Sequence, residues 1–207
     1  IDDPRIHGVI GSLLGDDFNY AGSDGNFYVG DTSWHSDGYF RYPKYMSVKL
    51  AFYLDPVTRD TGCLRVIPGS HMVGDRYGDA LEGIVGNSMD NMGVENNEMT
   101  AQVLETVPGD LVVFNQNIKH ASFGGSRRRR MFAMGFCPRW PEDKLTQFRE
   151  ELGKEARFLI DRIHGEEMIR TAGPERWVHL EQVRENDVHL AELTKELRKA
   201  KRAPARG

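Results

Sequence analysis

Residues 45–54, YMSVKLAFYL, alternate: Val48, Leu50, Phe52 and Leu54 fall on one side of an extended chain, Ser47, Lys49, Ala51 and Tyr53 on the other. Apolar residues recurring every second position fit a strand with one polar face, not a helix. Three further segments are built in the same way. TGCLRVIPGSH (61–71) reads as a turn, a short strand and a Pro-Gly stop, and RMFAMGFC (130–137) as another strand. AQVLETVPGDLVVFN (101–115) reads as two strands joined at Pro108-Gly109, residues suited to the centre of a type II turn. Short strands with Gly/Pro punctuation and no helices between them predict an antiparallel sandwich or barrel.

Past residue 140 the pattern changes to helical. Leu145, Phe148, Leu152, Leu159 and Ile163 predict an amphipathic helix over 142–164. A second helical stretch starts at Pro174, suited to a first helical position, and carries Trp177, Leu180, Leu190, Leu193 and Leu197. These helices are expected to cover a sheet face. His164, His179 and His189 lie among charges there and read as ordinary surface or packing residues. Residues 72–100 show no sustained period and are rich in Gly, Asn and Asp, which reads as a lid. A chain of 207 residues suits one domain, with a β core over about 8–140 and a helical extension over about 141–202.

Charge narrows the partners. Twenty-seven Lys and Arg against 31 Asp and Glu give a net charge of −4, so no global positive field draws the chain to nucleic acid or anionic lipid. No apolar run approaches the roughly 20 residues of a membrane span. Cys63 and Cys137 form neither a CxxC motif nor a disulfide framework and read as buried thiols in a reducing, cytoplasmic setting. The partner expected is a small molecule; the oligomeric state is not legible.

The chemistry begins in SWHSDGYF (33–40). In an extended segment His35 and Asp37 point to one face and converge. A His-x-Asp triplet arises by chance about half a time in a chain of this composition, so a distant third ligand is required. His120 supplies it, at the end of the apolar strand in PGDLVVFNQNIKHAS (108–122) and before a loop of small residues. Two imidazoles and one carboxylate can hold one face of an octahedral Fe(II) and leave three positions open. The same three groups could hold a zinc ion with water in the open position, as in a hydrolase. A β-barrel that only binds a ligand in its pocket, without catalysis, is the third reading.

WHSD, TGCLRVIPGSH, PGDLVVFNQNIKHAS and RRRRMFAMGF, in that order over about residues 8–140, resemble the phytanoyl-CoA dioxygenase family of iron(II)/2-oxoglutarate oxygenases. The resemblance implies a double-stranded β-helix, a cupin-like jelly roll, with His35, Asp37 and His120 as iron ligands. It also implies 2-oxoglutarate and O2 as co-substrates, and hydroxylation with release of succinate and CO2. Related halogenases carry a small residue in place of the carboxylate, so Asp37 favours oxygenation. Ser122 matches a serine that assists co-substrate binding, and an arginine of SRRRRMF is to pair with the far carboxylate. Strand alternation favours Arg129, which would turn Met131 inward and Phe132 outward; Arg130 is the alternative. His71, in PGSH, is assigned a structural hydrogen bond. Lys49 and Ser47 are placed inside the barrel as candidate co-substrate contacts, where Lys49 has to pair with an acid or a co-substrate oxygen, and Trp34, Tyr39, Phe40 and Tyr28 are candidates for the substrate wall.

Overall fold

The alternating segments pair into two antiparallel sheets in a computed structural model that describes residues 1–37, 46–72, 74, 76–125 and 129–202, with backbone only at 202. The chain divides into two units, residues 23–135 and residues 1–22 with 136–207. The strands are β1 (Phe18–Tyr28), β2 (Thr32–His35), β3 (Val48–Tyr53), β4 (Leu64–Val66), β5 (Gln102–Leu104), β6 (Leu111–Asn115), β7 (His120–Ser122) and β8 (Arg129–Pro138). One sheet runs β1-β8-β3-β6 and the other β2-β7-β4-β5. The chain therefore passes back and forth between sheets, which is the winding of a jelly roll.

Pro108-Gly109 illustrates how a local turn serves that winding. Asp110 N–H donates to the Val107 carbonyl at 3.0 Å, and the Asp110 carboxylate accepts from Val107 N–H at 2.9 Å. Gly109 sits at φ 105°, a conformation that L side chains rarely adopt. The turn lies where the sequence places it, but it does not close a hairpin: β5 pairs with β4, and β6 with β3 in the other sheet. Between the sheets, Ala51, Tyr53, Val57, Cys63, Leu64 and Val66 form a buried cluster flanked by Phe114 and Met131. Cys63 is a free, buried thiol, as expected.

Residues 72–100 differ from the expected lid of irregular chain. They hold helices at Arg76–Glu82 and Ser88–Met92 and short 3-10 turns at Val85–Asn87 and Asn96–Glu98. Leu81 and Val85 are buried against Trp34, Ile67, Ala121 and Phe123. Trp34 Nε1 donates to the Asn96 carbonyl at 2.8 Å, and Ser88 Oγ donates to the Val94 carbonyl at 2.7 Å. Each helix is at most two turns long, too short for a 3.6-residue period to register in the sequence.

Behind β7 the backbone runs close to its neighbours. A Cβ on Gly125 would lie 1.9 Å from the Gly30 carbonyl oxygen, and one on Gly124, at φ 74°, 2.4 Å from the Asp60 carbonyl oxygen. Gly125→Ala is therefore expected to separate two backbones, destabilising the chain by roughly 3 kcal/mol and lowering Tm by about 10 °C. A thermal melt checks this; a Tm within about 2 °C of wild type would contradict the close approach.

The other unit contains a helix the sequence pattern did not announce, Pro4–Leu14, whose first turn is capped by Asp3 accepting from Arg5 N–H at 2.9 Å. The helix expected over 142–164 is broken. Helix Leu145–Gly153 gives way to a 3-10 segment, Lys154–Phe158, which ends at Leu159 in a left-handed conformation, φ 59°. The buried Asp187 then accepts from Ile163 N–H at 2.8 Å, a group that a continuing helix would have paired internally, and from the Arg162 side-chain Nε at 2.7 Å. The stretch from Pro174 is likewise divided into Pro174–Trp177, Glu181–Asn186 and Leu190–Arg202, with Pro174 at the first helical position as read. His164 Nε2 bonds the Tyr20 carbonyl at 2.8 Å, and His179 stacks on Phe18. His189 Nε2 bonds the Arg149 carbonyl at 2.9 Å. All three are packing residues. Cys137 is free and buried, and burial pushes its thiol up to about 12.

Candidate metal centre

His35 and His120 meet because β2 and β7 are paired antiparallel with His35 directly opposite His120. The register shifts by one residue between Thr32 and His35, an irregularity that re-aims the end of β2. Asp37 follows immediately and is held by its own N–H donating to the Gln116 carbonyl at 3.0 Å. Ser36, between the two ligands, donates to the Asn117 carbonyl at 2.8 Å and accepts from Lys119 Nζ at 2.7 Å. Lys119 also pairs with Glu82, tying this turn to the helix Arg76–Glu82.

The three side chains present one donor atom each within 4.8 Å of one another. His35 Nε2 lies 3.7 Å from Asp37 Oδ1, and His120 Nε2 lies 3.8 Å from Asp37 Oδ2. Both imidazoles are oriented the same way: His35 Nδ1 sits 2.8 Å from the Ser33 carbonyl and His120 Nδ1 2.9 Å from that of Ile118. A carbonyl accepts only, so Nδ1 carries the proton in each ring and Nε2 presents its lone pair to the centre. This tautomer, fixed from behind by the backbone, is the one a metal-bound histidine needs. The residues fit a divalent first-row metal.

Electrostatics favour the same state. Burial pushes the His120 imidazole down, against the pull of Asp37, to about 4. Burial alone would raise the Asp37 carboxyl, but Lys49, Nζ 2.7 Å from Oδ2, outweighs it with help from His120 and His35 and holds the group below its usual range. The metal-free site thus offers a neutral imidazole at 120 and a charged carboxylate. Stability should follow. Below pH 6.5 the unfolded chain protonates His120 while the native chain does not until about 4, so this contribution is complete above 6.5 and is lost as pH falls. Between pH 7 and 4.5 metal-free protein is expected to lose roughly 2–3 kcal/mol from this group. Urea denaturation at both pH values checks this, with His120→Gln expected to lose less.

A cleft open to solvent surrounds the three donors, lined also by Tyr28, Thr32, Lys49, Ala51, Tyr53, Phe114, Ser122, Arg129 and Met131. Arg129 is 3 % exposed, with its guanidinium 4.9 Å from the Tyr28 ring and Nη1 donating to the Gly62 carbonyl at 2.5 Å. Ser122 Oγ donates to the same carbonyl at 2.7 Å. Arg130 points the other way: its side chain is 56 % exposed and forms a two-pronged pair with Asp55. Met131 is back in the cleft and Phe132 outside it against Phe52. The period of two in β8 therefore places Arg129 in the cavity and removes Arg130 from it.

Other expected wall residues fall elsewhere. Trp34, one position before His35, faces the opposite side of β2 and is buried in the cluster under the 76–100 segment, not in the cleft. Ser47 is buried at the start of the β3–β6 pairing, its carbonyl accepting from Gln116 N–H at 2.9 Å, and is not among the described residues that line the cavity. Tyr39 and Phe40 lie outside the described residues. His71 does not line the cleft, and its buried Nδ1 has no hydrogen-bond partner among the described residues. Tyr53 and Phe114 were missed. Tyr53 was legible in principle, since it shares the Lys49 face of YMSVKLAFYL; its burial pushes the phenol up to about 12. Phe114 stands directly opposite Lys49 across the β3–β6 pairing and packs edge-on to His120 with ring centres 5.1 Å apart, a placement only the register reveals.

The sequence model of the phytanoyl-CoA dioxygenase (PhyH) family matches residues 14–131, more than half of the chain and all three candidate ligands. The chain belongs to the phytanoyl-CoA dioxygenase family. No curated protein matches the sequence. Among solved structures, EvdMO1 superposes with a TM-score of 0.51 at 18 % identity, covering 67 % of this chain and 32 % of EvdMO1, a likeness of fold. EctD from S. alaskensis in its apoform gives 0.48 at 24 %, covering 66 % and 50 %. The non-heme alpha ketoglutarate dependent epimerase SnoN from nogalamycin biosynthesis gives 0.49 at 16 %, covering 66 % and 53 %. The chain thus spans about a third of the first and about half of the other two. Among the described residues of this phytanoyl-CoA dioxygenase family member, no helix is long and apolar enough to cross a membrane.

Proposed function

We propose that this chain is an iron(II)- and 2-oxoglutarate-dependent oxygenase that hydroxylates a small molecule. Substrate C–H, O2 and 2-oxoglutarate would be consumed and C–OH, succinate and CO2 formed. The observation that carries the reading is the meeting of two backbone-fixed Nε2 lone pairs and one carboxylate oxygen within 4.8 Å, in a cleft that also holds a buried arginine. Membership of the phytanoyl-CoA dioxygenase family supports it.

His35, Asp37 and His120 would hold the iron, which when bound supplies the redox chemistry coupling decarboxylation of the keto acid to oxygen insertion. The chain's own residues do the positioning. Arg129 presents a planar fork from a site 3 % exposed, where a carboxylate is bound in two-point fashion away from competing water. With one N–H on the Gly62 carbonyl, the guanidinium is aimed before any ligand arrives, and the Tyr28 ring shields its face. Ser122 stands beside it, on the same carbonyl. Phe114 and Met131 line the cleft with apolar surface that limits water at the reacting centre.

Anaerobic addition of Fe(II) and 2-oxoglutarate should produce the weak visible charge-transfer band of a keto acid chelated to ferrous iron. Admission of O2 with a panel of small-molecule substrates should then release succinate. Absence of both, in protein shown by circular dichroism to be folded, would reject the proposal.

A further inference from the structure

Among the described residues, two full cations reach the cleft, Lys49 and Arg129, against one carboxylate, Asp37. The reading above gives Arg129 a task and leaves Lys49 without one. Lys49 lies on β3 opposite Phe114, and its Nζ is 2.7 Å from Asp37 Oδ2, the oxygen that faces His120 Nε2 at 3.8 Å. A largely buried carboxylate requires a counter-charge, and in the metal-free chain Lys49 supplies it. A divalent ion held by both imidazoles and Asp37 has to settle beside that same carboxylate. Two positive charges then crowd one anion in a poorly screened cavity, and the ammonium, on its flexible four-carbon stem, is the one able to move. Anchored to β3, it stays in the cleft and needs another anion there. A keto diacid brings two carboxylates; Arg129 suits the far one, and the metal-side one comes within reach of the displaced ammonium.

Building on the iron/2-oxoglutarate reading of the site, we propose that Lys49 is a stand-in cation that neutralises Asp37 in the metal-free protein and passes to the metal-side carboxylate of the co-substrate when metal binds. Metal and keto acid then raise each other's affinity, and the two effects are equal because linkage is reciprocal. Lys49 is a positioning residue in this scheme, and its signature is in binding, not only in turnover.

The test is calorimetric titration of the full chain with Mn(II), in the presence and absence of saturating 2-oxoglutarate. In wild type, 2-oxoglutarate should tighten Mn(II) binding by about tenfold or more. Lys49→Met should bind Mn(II) alone about fivefold more tightly than wild type, since no cation has to be displaced, and its gain from 2-oxoglutarate should be at least about fivefold smaller. Lys49→Arg, which keeps the charge, should retain most of the gain. Unchanged Mn(II) affinity or an undiminished gain in Lys49→Met overturns the stand-in role while leaving the site reading intact. A folded wild type that binds neither Mn(II) nor 2-oxoglutarate overturns both. If Lys49→Met fails to fold by circular dichroism, Lys49→Gln carries the same comparison.

Discussion

Asp37→Ala should weaken Mn(II) binding by about three orders of magnitude, roughly 4 kcal/mol, and abolish succinate formation, because the anionic donor of the set is lost. Two separate contributions are lost at once. The carboxylate is the anionic member of the three-donor set, so without it a divalent ion would meet two neutral imidazoles and the Lys49 ammonium. The lysine, largely buried, would turn from counter-ion into a repulsive neighbour. The His35 and His120 rings would keep their orientation, since each is fixed by a backbone carbonyl and not by Asp37. The two imidazoles therefore stay aimed at the centre, and the defect should be read in the metal affinity of protein shown by circular dichroism to be folded. Calorimetry with Mn(II) and a succinate assay measure it; wild-type affinity in Asp37→Ala would remove this triad from consideration as the metal centre.

The second large effect is expected at Arg129, and the contrast with its neighbour makes the result decisive. Arg129→Ala should raise the KM for 2-oxoglutarate by about 10²-fold, since hydrogen bonds to charged groups contribute roughly 1.5–3 kcal/mol each and the guanidinium can form two. Arg129→Lys should recover little of this, because a lysine lacks the fork. Arg130→Ala should leave the KM within about twofold of wild type, since a solvent-screened surface pair with Asp55 is what it loses. Equal effects at the two positions would contradict the inward placement of Arg129. Gly62 supplies an independent probe. At φ 94°, with a virtual Cβ 2.7 Å from Arg129 Nη1, it lets its carbonyl receive both Arg129 and Ser122. Gly62→Ala should displace the guanidinium and raise the same KM without touching the metal donors.

Much of this architecture is written locally. A period of two placed Lys49, Ala51 and Tyr53 on one face of β3, and that face lines the cleft. The same alternation chose Arg129 over Arg130, for a side chain's face on a strand depends only on its count along the strand. Pro108-Gly109 turns where the dipeptide dictates, because φ is a property of the residue. Trp34 could have been assigned by the same rule, since it lies one residue out of phase with His35 and faces the other side of β2. The helices over 142–202 were legible as helical but not as broken. One interruption, after Leu159, is followed by the capture of the Ile163 N–H by the Asp187 carboxylate, more than 20 residues away in the chain.

The sequence by itself determined the strand faces, the turn residues and the types of donor available, each of which depends on neighbours a few residues apart. Tertiary structure alone decided which of those donors meet. A one-residue irregularity in the β2–β7 pairing sets His35 opposite His120, and the β3–β6 register brings Phe114 to Lys49. The 76–100 segment packs against Trp34 through Leu81 and Val85. Register couples segments 85 residues apart for His35 and His120, and it is fixed by the summed burial and hydrogen bonding of two sheets, a quantity that no stretch of sequence carries on its own.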